Sequence, residues 1–250
     1  MSTHRWPGRS LILITALVLP IACAQSEQPP AVEQVPPMDM LVTTEWLAEH
    51  LEDPDLVVLD CTVVIEQNED GSFNTVSGRA SYDEGHIPTA GFADLKGDLC
   101  DSGSPHEYAL PEPERFAEVM GALGVGPDSR VVVYDATGSA WAARVWWMLR
   151  WIGFDRAAIL DGGLGAWQAD GRPLSTDAPD RPAKTLTADT RWELIADRDA
   201  VLAAIDDDSV QLIDVMPEAH FRGEMAMYNR PGHIPSAINI DVTGLVDESG

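Results

Sequence analysis

A four-residue word occurs twice in this chain. Gly85-His86-Ile87-Pro88 returns as Gly232-His233-Ile234-Pro235, an offset of 147 (232 − 85). A second landmark travels with it. The run Leu56-Val57-Val58-Leu59-Asp60 returns as Val210-Gln211-Leu212-Ile213-Asp214, whose aspartates lie 154 apart (214 − 60). Two landmarks recurring in one order at nearly one spacing point to a duplicated domain. The 250 residues then divide into two modest units rather than one large core.

The first unit reads as alternating strands and helices. Thr43 or Thr44 can cap a helix over Glu45 to Leu51, because a hydroxyl satisfies the free N–H groups of a first turn. Leu56 to Asp60 is apolar without alternation, the mark of a strand buried on both faces. Pro113 to Leu123 reads as an amphipathic helix stopped by Gly124 and Gly126. Arg130 to Tyr134 is a second buried strand, followed at once by Asp135-Ala136-Thr137-Gly138-Ser139. A long helix then carries Trp141, Val145, Met148, Leu149 and Ile152 at helical spacing. Ala158-Ile159-Leu160 is a third strand, turned by Asp161-Gly162-Gly163 before a helix around Trp167. This order predicts an α/β fold, a parallel sheet flanked by helices. After a Pro-rich linker, Asp189 to Ile205 is expected to be a capped, acidic helix, and Val210 to Asp214 a repeat of the first strand.

The N-terminus reads as a targeting segment. His4, Arg5 and Arg9 precede Leu11 to Ala22, which is almost purely apolar but short for a bilayer. Ala22-Cys23-Ala24 fits a secretory cleavage site with Gln25 as the new start. Cys23 offers an alternative as a lipidated cysteine, although Pro20 stands where such signals prefer Leu. Residues 25–39, rich in Pro, Gln and Glu, read as a flexible tether. An exported protein is expected, periplasmic or anchored to a membrane as a lipoprotein.

Acidic residues outnumber basic ones by 41 to 16, for a formal net charge of −25. Such a surface repels phosphate backbones and anionic headgroups, so nucleic acid is not an expected partner. The charge reads as a solubilising coat. Beyond Cys23 only Cys61 and Cys100 are present, too few for a disulfide scaffold. A bond between those two stays open at this stage.

Taken together, Leu59-Asp60, Gly85-His86-Ile87-Pro88, Arg144-Val145-Trp146-Trp147 and Leu160-Asp161-Gly162-Gly163 resemble the first domain of a two-domain rhodanese. Phe221-Arg222-Gly223 with Arg230-Pro231-Gly232-His233-Ile234-Pro235 resembles the opening of its second domain. The resemblance implies tandem rhodanese-like domains: residues 40–172, a linker over 173–188, and 189–250 as the N-terminal part of an incomplete second domain. It also implies a sulfurtransferase. Such enzymes take a sulfane sulfur from thiosulfate or 3-mercaptopyruvate onto a cysteine, then pass it to a thiol or cyanide acceptor. No cofactor and no metal is expected.

In such a site a loop joins the C-terminal end of a buried strand to a helix N-terminus. Its backbone N–H groups converge and the helix dipole adds positive potential. A cysteine heading that loop would be held as a reactive thiolate. Here the head of the first loop is Asp135, which cannot hold a persulfide, so the first domain is expected to be non-catalytic. A carboxylate can itself be a nucleophile, which leaves a hydrolytic role for Asp135 open beside a structural one. Cys61 reads as a small buried apolar residue, and Cys100 sits in a polar loop with nothing near in sequence to acidify it. The catalytic cysteine is therefore expected beyond Gly250, with no catalytic residue within the chain itself.

The resemblance further places substrate-anion contacts at His220, Arg222 and Arg230, against the alternative that the arginines merely balance an acidic surface. His220 stands where the family usually has an arginine, and histidine attracts anions only when protonated. His86 and His233 read as turn-forming structural residues, and Trp146 and Trp147 as packing. An alternative to the enzyme is a catalytically inactive, exported anion-binding protein of the same fold.

Overall fold

The computed structural model describes residues 38–69, 73–226 and 229–245. The expected signal segment, residues 1–24, and nearly all of the tether lie outside the described residues. Among the described residues no helix is long and apolar enough to cross a membrane.

The first unit is a three-layer α/β structure. In chain order it runs β1 (Leu41–Val42), α1 (Thr44–His50), β2 (Leu56–Asp60), β3 (Val63–Gln67), β4 (Phe73–Ser77), α2 (Arg79–Glu84), β5 (Gly91–Phe92), α3 (Pro113–Ala122), β6 (Arg130–Tyr134), α4 (Ala140–Trp151), β7 (Ala157–Leu160) and α5 (Gly163–Ala169). The main sheet has the order β1-β7-β6-β2-β5 and every pairing in it is parallel. β3 and β4 form a separate antiparallel hairpin. No strand was expected there, although Asp70-Gly71 between two β-prone runs is a turn signal of this kind.

Alternation along the strands divides the core between two faces. Val57, Leu59, Val131 and Val133 pack with Phe116, Ala117 and Met120 of α3 and with Ala142, Val145, Met148 and Leu149 of α4. Leu56, Val58, Val132 and Tyr134 pack with Leu47 of α1, Tyr82 of α2 and Trp167 of α5. Both faces of β2 and β6 are therefore sealed, which is why Leu56 to Leu59 and Val131 to Val133 are apolar without alternation. The helix ends follow local chemistry. Thr43 caps α1 by accepting from Trp46 N–H at 3.2 Å. Pro113 opens α3, where a missing N–H costs nothing, and Gly124 beyond its end has φ 91°, the left-handed conformation that closes helices.

The chain then crosses back over the first unit. Ser175 forms a bridge with His86, Lys184 N–H donates to Gly121 C=O at 2.8 Å, and Arg191 N–H to Trp151 C=O at 2.7 Å. These bonds correct the helix expected over Asp189 to Ile205. Asp189 N–H is taken by Ile152 C=O and the Arg191 guanidinium by both oxygens of Asp155, at 2.6 and 2.5 Å. The backbone is held there by tertiary partners, so only a 3-10 turn, Trp192–Leu194, precedes α6 (Arg198–Ala204). Asp197 caps that helix by accepting from Ala200 N–H at 2.8 Å.

Beyond α6 the chain repeats the first unit in three dimensions. β8 (Ile213–Asp214), α7 (Glu218–Phe221) and β9 (Ile238–Asn239) correspond to β2, α2 and β5. Leu59 faces Gly91 and Asp60 faces Phe92; Ile213 faces Ile238 and Asp214 faces Asn239, again parallel. Ala93 N–H donates to Asp60 C=O, and Ile240 N–H to Asp214 C=O. β8 is shorter than the five residues expected from Val210 to Asp214. In β2 the additional length is paired with β6, whereas β8 pairs with β9 alone among the described residues.

Candidate active-site cleft

The strand-to-helix loop after β6 is built around one carboxylate. Asp135 is buried. Its Oδ1 accepts from Thr137 N–H at 2.7 Å and Ser139 N–H at 3.0 Å, and its Oδ2 from Trp141 N–H at 2.9 Å and Ala142 N–H at 2.8 Å. The convergent N–H groups expected of this loop are therefore present, and the Asp135 carboxylate fills them. Its backbone is held from the far side, where Leu164 N–H donates to Asp135 C=O at 3.0 Å. This explains the Asp-Gly-Gly turn. A Cβ on Gly163, which has φ 55°, would lie 2.4 Å from that same carbonyl oxygen, so α5 reaches the loop only through glycine.

Beneath the loop, Asp60 is buried at the end of β2. Burial pushes its carboxyl above the usual carboxylate value, while hydrogen bonds from Thr62 and Tyr134 act against that rise. Thr62 N–H donates to Asp60 Oδ1 at 2.8 Å, and Thr62 Oγ1 accepts from Ala136 N–H at 3.1 Å. Cys61 is fully buried in the same place. Burial drives its thiol well above the normal cysteine range, and the Asp60 and Asp135 charges add to the effect, so the group stays a neutral thiol. Cys100 is half-buried, its thiol facing Gly97 C=O at 3.4 Å and raised by burial. Both cysteines are free, so the disulfide left open by the sequence is absent.

The two histidines of the repeated word do the same work. His86 stacks on Tyr82 with ring centroids 3.9 Å apart, and its Nδ1 lies 2.8 Å from Tyr82 C=O. His233 stacks on Phe221 at 3.7 Å, with Nδ1 2.7 Å from Phe221 C=O. Each ring ties the repeated word back to the short helix before it. Of the paired tryptophans, Trp146 donates its indole N–H to Ala157 C=O at 2.9 Å and Trp147 lies under the Arg144 guanidinium at 5.0 Å.

The three expected anion contacts do not stay together. His220 and Arg230 line one cavity of about 50 Å³ with Asp214, Met216, Met225, Pro231 and Gly232, large enough for a few waters or a small anion. His220 Nδ1 is buried and has no hydrogen-bond partner among the described residues. Arg222 is instead turned outward along α7, where its guanidinium pairs with Glu218. His220 and Met225 also line a larger cleft with residues of the first unit, among them Ile65, Phe73, Thr75, Tyr108 and Trp141. This second wall is not among the sites expected from the sequence. Its residues come from the hairpin, from an irregular loop and, in Trp141, from the first turn of α4, and neither the hairpin nor the loop carries a motif.

The rhodanese-like domain model matches residues 43–170 and 197–249 of the chain, spanning both copies of the repeat. A 3-mercaptopyruvate sulfurtransferase of Escherichia coli K12 is 38% identical over 210 residues, 83% of this chain and 73% of that protein. A thiosulfate sulfurtransferase of Bos taurus is 33% identical over 221 residues, 84% of this chain and 71% of that protein. Among solved structures, SseA from Escherichia coli is similar with a TM-score of 0.74 and 37% identity, covering 85% of this chain and 79% of its own.

Proposed function

The chain belongs to the rhodanese-like family of sulfurtransferases, and we propose that it moves a sulfane sulfur from thiosulfate or 3-mercaptopyruvate to a thiol or cyanide acceptor through a cysteine persulfide. The observation that carries this reading is the Asp135 carboxylate bound by four backbone N–H groups. A cradle of this kind stabilises an anion. In the first domain the anion is part of the protein, so the working copy belongs to the second. Asp135 lies 47 residues beyond Pro88 (135 − 88). In the register of the repeat, the persulfide-bearing cysteine lies roughly 30–50 residues beyond Pro235, past Gly250.

His220 and Arg230 supply the anion contacts, with Arg222 as a reserve cation released from Glu218. A guanidinium suits a carboxylate or sulfur oxyanion through paired hydrogen bonds. We further propose export, with residues 1–24 as the signal or, in the lipoprotein alternative, Cys23 as the anchor. A filled first cradle also favours a second reading, an anion-binding protein without turnover.

Persulfide mapping separates the two readings. The full-length protein is exposed to each donor and its cysteines are examined by peptide mass spectrometry. One added sulfur atom on a cysteine heading the second-domain loop supports the enzyme. Donor binding with no sulfur added to any cysteine supports the binder.

A further inference from the structure

The cleft carries more apolar surface than a small inorganic anion can use. β3 and β4 pair in the register Ile65↔Thr75 and Gln67↔Phe73, which puts Ile65, Phe73 and Thr75 on one face. That face lines the cleft beside Tyr108 and Trp141. Ile65 and Phe73 are nonetheless 56% and 67% exposed, two large apolar side chains left open on a hairpin outside the main sheet.

The hairpin is firmly placed. Tyr108 Oη donates to Thr75 Oγ1 at 2.8 Å and Lys96 Nζ donates to the same oxygen at 3.1 Å. Ser77 Oγ donates to Asp94 Oδ2 at 3.1 Å. Tyr108 has φ 56°, a conformation that costs a non-glycine residue energy and persists only where the surroundings hold it. Here Arg144 Nη2 donates to its carbonyl at 2.8 Å and its ring lies 5.0 Å from that of Trp141.

From the second half of the chain, His220 and Met225 complete the lining. His220, its Nδ1 unpartnered among the described residues, reaches both this cleft and the cavity holding Arg230. Of the carboxylates nearby, Glu107 is paired with Lys96 at 2.9 Å, whereas Asp214 lines the smaller cavity itself, its Oδ1 accepting from Met216 N–H at 2.9 Å. His106 adds a second imidazole to the cleft.

We propose that the β3–β4 hairpin is a specificity element and that the cleft takes an organic anion. The carboxylate or sulfur oxyanion head lies at His220 and Arg230, and an aryl or branched alkyl body lies against Ile65, Phe73 and Tyr108. The inference rests on the anion role of His220 given above and extends it to the class of compound preferred. Thiosulfate has no apolar surface to remove from water, so this wall adds nothing to its binding.

The test is calorimetric titration of the chain with thiosulfate, methanesulfonate and benzenesulfonate. Benzenesulfonate is expected to bind about tenfold tighter than methanesulfonate, from the apolar area it buries. The double variant Ile65→Ser, Phe73→Ser should remove that preference and leave methanesulfonate binding unchanged; both side chains are exposed, so the fold should survive. His220→Ala should weaken all three anions. Equal affinities for the two sulfonates, or a hairpin variant that keeps the preference, would overturn the specificity role while leaving the anion site intact. Absence of binding by all three anions would overturn both.

Discussion

Ala142 N–H, in the first turn of α4, donates to Asp135 Oδ2 at 2.8 Å, across seven positions of sequence. This bond closes a ring of four such donors around one buried carboxylate. If the ring shapes the loop, Asp135→Ala should cost about 2–4 kcal/mol of stability, because four N–H groups lose a charged acceptor at once. The emptied cradle should then bind sulfate or thiosulfate and regain part of its Tm. Thermal melts of both proteins with and without sulfate check this; a variant as stable as wild type, and indifferent to sulfate, would contradict it.

The acid limb of stability should depend on Arg130. Its guanidinium meets Asp55 at 2.8 and 2.9 Å and Asp53 at 2.6 Å, tying the start of β6 to the turn before β2. The hydrogen bond from Arg130 holds the Asp55 carboxyl below its ordinary value of 3.8. A depressed carboxyl stabilises the fold above its unfolded pKa, and that contribution is lost as pH falls through the lower folded value. Arg130→Met should therefore cost about 1 kcal/mol near neutrality, discounted for the partial exposure of the pair. The gap in urea midpoint between the two proteins should narrow and close as pH falls below the ordinary carboxylate value of 3.8. A gap independent of pH would assign the loss to packing instead.

Asp135 also marks where the sequence stops being legible. The buried strands, the helix starts and the repeat can be read because period and local capping are written in neighbouring residues. So can the placement of Asp135 at the head of a strand-to-helix loop. The turning of its carboxylate inward cannot, since it depends on how β6 and α4 meet. The helix expected over Asp189 to Ile205 fails for a related reason. Helical propensity there is overridden by Arg191, held 36 positions away by Asp155, and by backbone bonds to Trp151 and Ile152. The family resemblance groups Arg222 with His220 and Arg230, yet Glu218 one helical turn away pairs with its guanidinium. The cleft wall of Tyr108 and the hairpin is invisible in sequence because its residues converge only in three dimensions.

Thiosulfate affinity should rise in His220→Arg, since a guanidinium is always charged and binds a sulfur oxyanion through paired hydrogen bonds. Calorimetric titration of both proteins with thiosulfate checks the role; equal affinities would remove His220 from the site.

Export makes a separate prediction about the first residues. Intact-mass analysis of the secreted or membrane fraction should find a chain that begins at Gln25, or at a lipidated Cys23. A cytosolic protein that retains Met1 would rule out the targeting segment.

The sulfur carrier is proposed to lie in the second domain's counterpart of the Asp135 loop and not among the residues described. Cys61 is a buried neutral thiol, and Cys100 lies in the loop that bonds back to Gly97. The most direct measurement is thiosulfate–cyanide sulfur transfer by the purified 250-residue chain, alongside Cys61→Ser and Cys100→Ser. The expected result is no turnover above background in any of the three, with activity appearing once the sequence beyond Gly250 is included. Robust turnover by the 250 residues, abolished by either substitution, would place the active site in the first domain and contradict the account.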